Sequence, residues 1–87
     1  MKIVILGHSN VDDWYAATLL ERGHEVSIFG GGAINATIMK IFSDYDGCLL
    51  IGDTSEHLEF ADIFESTGRK VWRQLADIPA KPFGSQL

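Results

Sequence analysis

The sequence predicts an α/β domain built on a parallel sheet, on three observations. Four short apolar runs alternate along the chain with three stretches whose apolar residues recur at helical spacing. The first run, Lys2 to Leu6, is β-branched and uninterrupted, as strands covered on both faces tend to be. Glycines punctuate the junctions, with Gly23 and Gly68 each closing a helix before the next strand. Strands that alternate with helices pair in parallel through right-handed crossovers.

The elements follow in order. After the strand at Lys2–Leu6, Gly7-His8-Ser9-Asn10 breaks the run, and Ser9 or Asn10 suits the cap of a helix over about Val11–Arg22. Its stripe is Val11, Trp14, Tyr15, Thr18 and Leu19. His24–Phe29 reads as the second strand, and Gly30-Gly31-Gly32 turns into a helix over about Ala33–Phe42 that buries Ile34, Ile38, Ile41 and Phe42. The third strand, about Gly47–Ile51, carries Cys48 and ends in Gly52-Asp53-Thr54-Ser55. A helix over about Ser55–Thr67 places Leu58, Ala61 and Phe64 on one stripe, and Lys70–Leu75 is the fourth strand. Residues 1–75 thus form one domain. Residues 76–87, with two prolines and weak periodicity, are an arm or a disordered tail.

With four strands the expected order is 2-1-3-4, the flavodoxin-like winding: a three-layer sandwich of a sheet between about three helices. Ligands of open α/β sheets sit outside the carboxyl ends of the strands at the switch point, here between strands one and three. Two loops meet there, 7–13 and 52–59.

Composition limits the function classes. Eighty-seven residues hold a single core, and 46% hydrophobic with 22% charged residues is ordinary for a soluble chain. The net charge of −5 argues against a surface that tracks nucleic-acid phosphates. The single cysteine fits a reducing compartment, and no apolar run approaches the roughly 20 residues of a membrane span. A cytoplasmic protein with neither nucleic-acid nor membrane partners is expected. An open sheet this small buries only about two-thirds of its chain surface, so a homodimer or larger homo-oligomer is expected, with strand four or the tail, which carry Trp72 and Phe83, packing on a second subunit.

Several residues qualify as site candidates, each with a plainer alternative. Asp53, Glu56 and Glu59 crowd the turn and the first turns of the third helix. Carboxylates there either do chemistry on a ligand or favour the helix dipole, the latter worth roughly 0.3–1 kcal/mol each. Asp53 is also a capping candidate, in competition with Thr54 and Ser55. His57 reads as a solvated residue or a proton shuttle. His8, Ser9 and Asn10 lie in the first loop, where a ligand would sit. Trp14 is a core anchor or a stacking platform. Gly30 and Gly31 open either a phosphate cradle or a turn that needs positive φ. The three histidines lack metal-ligand spacing, so no metal is expected.

Residues 1–73 resemble the nucleoside 2-deoxyribosyltransferase-like family of small α/β proteins. The likeness rests on Lys2-Ile3-Val4-Ile5-Leu6-Gly7-His8-Ser9-Asn10, Trp14, and Gly23-His24-Glu25-Val26. It continues through Ser43-Asp44-Tyr45-Asp46-Gly47, Leu49-Leu50-Ile51, Glu59-Phe60-Ala61 and Gly68-Arg69-Lys70-Val71. The resemblance implies N-glycosidic chemistry on a nucleoside or nucleotide, as a transferase or a hydrolase. It puts Glu59 in the place of the carboxylate that attacks the anomeric carbon and Asp53 in that of an acid contacting the base. It implies no cofactor and an oligomer whose neighbours complete the sites. Developing oxocarbenium charge is stabilised by one carboxylate, while a second acid assists departure of the base. The other expectation is a non-catalytic domain of the same fold that binds a nucleotide-like ligand or a protein.

Overall fold

A computed structural model describes residues 1–7 and 9–78, and for residues 9–13 the backbone alone. The elements are β1 (Lys2–Leu6), α1 (Ser9–Glu21), β2 (Glu25–Phe29), α2 (Ala36–Ile41), β3 (Gly47–Leu50), α3 (Ser55–Ser66) and β4 (Lys70–Trp72), followed by a 3-10 turn, Leu75–Asp77. The sheet has the expected order, β2-β1-β3-β4, and every pairing is parallel. Ile5 lies between Ile28 and Leu49 in register.

Two apolar layers sandwich the sheet. Val4, Leu6, Phe29, Cys48 and Leu50 face α2 and α3, where Phe42, Phe60, Ala61 and Phe64 complete the cluster. Ile3, Ile5, Leu49 and Trp72 face the other way and meet Leu19 of α1 together with Ile78. Alternation along β1 and β3 sends neighbouring side chains to opposite layers. Both central strands are therefore buried on both faces and read as continuous apolar runs. Gly47 is required beneath Trp72: a Cβ there would stand 2.5 Å from Cζ3 of the indole and 2.6 Å from the Lys70 carbonyl oxygen.

One of the three residues expected to compete for the cap of α3 takes it, while the phases and ends of the helices differ from the sequence expectation. Thr54 and Asn35 are the caps of α3 and α2, their side chains accepting from the backbone N–H groups of His57 and Ile38. α3 turns Phe60 inward and leaves Leu58 48% exposed, because its buried residues are His57, Phe60, Ala61 and Phe64. α2 begins only at Ala36, and being so short it leaves Ile41 at 58% exposure. α1 begins at Ser9, which puts Ser9 and Asn10 inside its first turn, and it holds Leu19 in the core while Trp14 stays 61% exposed.

Ordered structure continues past residue 75. Ile78 is buried in the same layer as Ile3, Ile5, Leu19, Leu49 and Trp72. Trp72 is buried within its own chain. Residues 79–87, including Phe83, lie outside the described residues. No helix among the described residues is long and apolar enough to cross a membrane.

The amino ends of the strands are closed by the Ser43–Gly47 segment. The Lys2 backbone N–H donates to Asp46 at 2.8 Å, the Asp46 N–H returns a bond to the Lys2 carbonyl at 2.8 Å, and the Lys2 ammonium donates to Asp44 at 2.5 Å. That hydrogen bond holds the Asp44 carboxyl below its ordinary value and the Lys2 ammonium above its own. Arg69 donates to the Ser43 carbonyl at 2.6 Å and lies over the Phe64 ring at 4.7 Å. The acids of this motif and the Arg69 side chain are thus structural.

Candidate functional site

At the carboxyl ends of the strands the chain leaves β1 toward α1 on one face and β3 toward α3 on the other, which makes the space between them the switch point. The exit of β3 is pinned: the Ile51 and Gly52 N–H groups both donate to the Leu6 carbonyl, at 2.9 and 2.8 Å. Gly30 follows β2 directly at the same end of the sheet.

His57 binds these exits together. It is fully buried, against the expectation of a solvated side chain. Its Nε2 lies 3.1 Å from the Gly30 carbonyl oxygen. A carbonyl only accepts, so Nε2 carries the proton and donates. The ring stands over Gly52, where a Cβ would come within 2.6 Å of Cε1, and meets Phe29 edge-on at 6.4 Å between centroids. The His57 backbone N–H donates to Thr54 Oγ1 at 3.3 Å. The sequence signal was present but ambiguous. Positions 57, 60, 61 and 64 fit a helical stripe better than 58, 61 and 64 once histidine is admitted to a core.

The carboxylates lie outside this buried set. Asp53 is exposed and precedes the cap. Glu56 sits in the first turn of α3. Its own backbone N–H, followed by the Ser55 hydroxyl at 3.3 Å, holds its carboxyl below the ordinary value. Glu59 is exposed, and at about 100° per residue it lies on the far side of α3 from the buried stripe. The inward position of this part of the helix belongs to His57.

The remaining candidates divide. Gly31 is exposed, with open space where a side chain would be. Gly32 has φ +123, in the region that favours glycine. Trp14 stands against Tyr15 edge-on at 5.0 Å with its indole open to solvent, free to act as a platform and not as a core anchor. The side chains of Ser9 and Asn10, and all of His8, lie outside the described residues. Cys48 is buried in β3, and burial pushes its thiol up to about 12, which makes it a packing residue at neutral pH. Among the described residues, no group of three or more His, Cys, Asp or Glu is placed to hold a metal ion. Searches against protein-family models, curated proteins and solved structures find no match to this chain.

Proposed function

We propose that the chain is a non-catalytic domain that binds a small nucleoside- or nucleotide-like ligand over the carboxyl ends of β1 and β3. The observation that carries this reading is the placement of His57. The inward position of the first turns of α3, where a reactive carboxylate would face a ligand, is filled by an imidazole bonded to Gly30. Glu59 faces solvent on the opposite side of the helix. The switch-point geometry supports a ligand at this end of the sheet. The nucleoside-like chemistry of that ligand is supported by the motif resemblance along residues 1–73. Exposed Asp53 and half-buried Glu56 supply acceptors for hydroxyl or amino groups, and Trp14 supplies an open aromatic face.

The second reading is N-glycosidic cleavage with Glu59 as nucleophile and Asp53 as acid. It is favoured by the openness of both carboxylates to solvent. One experiment separates the two. The purified chain and its Glu59→Ala variant are incubated with nucleosides, deoxynucleosides and their monophosphates, with free base read by chromatography and thermal unfolding followed in parallel. A ligand that binds only the folded state stabilises it by about 2.7 kcal/mol at one hundred times its Kd. The binding reading requires such a shift from at least one compound, of the same size in both proteins, with no base released. Base release by the parent protein that vanishes in Glu59→Ala would overturn it. No shift and no release would leave protein interaction as the function of the fold.

A further inference from the structure

We infer that His57 is a positioning residue, one imidazole that ties the glycine turn after β2 to the turn after β3, so that these two segments beside the switch point hold one shape. The inference rests on the ligand reading above only for what this shape serves.

A buried imidazole is an expensive way to fill a core, since each of its nitrogens must be matched by a polar partner or lose solvation. The neighbouring members of the stripe are Phe60, Ala61 and Phe64, and a leucine at 57 would bury equal apolar area without that cost. What the imidazole adds is reach across the sheet. Its Nε2–H spans from α3 to the Gly30 carbonyl, twenty-seven residues earlier in the chain. On its other side the ring packs against Gly52, whose N–H is anchored to the end of β1 through Leu6. The exits of β2, β1 and β3 are thereby joined through a single side chain. Gly31 and Gly32, the next residues of that turn, are exposed.

The test compares the parent protein with His57→Leu and His57→Gln. Leucine keeps the apolar packing and removes the donor, whereas the glutamine side-chain nitrogen stands near the position of Nε2 and keeps it. The primary readout is the backbone order parameter at Gly31 and Gly32 from ¹⁵N relaxation. It is expected to fall toward about 0.6 in His57→Leu and to return toward the parent value in His57→Gln, while Ile5 and Leu49 stay near the rigid value of about 0.85 in all three. Parent-like values in both variants, or an equal fall in both, would overturn the inference and leave His57 as packing. If His57→Leu does not fold, the ¹⁵N shifts of the His57 ring in the parent protein decide: an Nε2–H tautomer is required, and an Nδ1–H tautomer contradicts it. Deoxynucleoside monophosphates serve as the ligand probe, with at least tenfold weaker binding expected in His57→Leu than in His57→Gln. Failure of the parent protein to bind any of them would count against the ligand reading while the order parameters still decide the role of His57.

Discussion

The imidazole of His57 occupies the space that a side chain at Gly52 would need: a Cβ there would stand 2.6 Å from Cε1 and closer still to Nδ1. The glycine at the end of β3 is therefore set by the histidine five residues later. Overpacking of this kind costs about 1–3 kcal/mol. Gly52→Ala should lose that much in urea unfolding. The same change in a His57→Ala background should cost under about 0.5 kcal/mol, because the obstructing ring is gone. Equal costs in the two backgrounds would mean that the pair is not coupled.

The phase of α3 makes adjacent residues behave differently. Phe60 is fully buried, with ring centroids 5.2, 5.4 and 4.8 Å from those of Phe29, Phe42 and Phe64, whereas Leu58 is 48% exposed. Phe60→Ala should cost about 3–5 kcal/mol of unfolding free energy and Leu58→Ala less than about 1 kcal/mol. A larger cost at Leu58 than at Phe60 would rotate the helix about its axis.

Cys48 should give the protein an alkaline weakness. Its thiol is raised by burial from an ordinary 9.0 to about 12, with the Arg73 charge pulling slightly the other way. The folded state thus holds the proton more tightly than the unfolded chain does. The associated stability is fully present below about pH 9 and is lost as pH rises from there through 12, at about 1.4 kcal/mol per pH unit. The stability difference between the parent and Cys48→Val should therefore shrink or reverse across this window while staying flat between pH 6 and 8. A flat difference up to pH 11 would contradict the buried thiol.

The two tryptophans should separate in fluorescence. Trp14 is 61% exposed and Trp72 is 8% exposed. Acrylamide should quench the parent protein readily, and Trp14→Phe should leave a blue-shifted emission that resists quenching. The same substitution should change unfolding free energy by under about 1 kcal/mol. Ready quenching of the remaining emission would show Trp72 open to solvent.

The sheet was legible in the sequence because its signal is strong and local. Lys2–Leu6 and Gly47–Leu50 are buried on both faces, and a run of apolar residues with glycine at its ends admits few other readings. The helix faces were less legible. In α1 the aromatic pair Trp14-Tyr15 lies at the edge of the apolar stripe, and only the sheet beneath decides which of the two is covered. In α3 a histidine belongs to the buried stripe, and polarity scales place histidine outside. The cap at Thr54 was a choice among three adjacent residues with similar chemistry, settled by which oxygen reaches the His57 N–H. The switch point between β1 and β3 was legible from the order of the strands. The inward placement of His57 was not, because its link to Gly30 joins residues twenty-seven positions apart and leaves no trace in local spacing.

The proposed seating of a nucleoside- or nucleotide-like ligand over the carboxyl ends of β1 and β3 is open to direct test by amide chemical-shift mapping with deoxynucleoside monophosphates. Saturable shifts should gather at Gly7, Gly30–Gly32 and Gly52–His57 and leave the opposite end of the sheet, Met1, Gly23 and Asp46, unmoved. Shifts centred on that opposite end, or none at any concentration of any monophosphate, would contradict it.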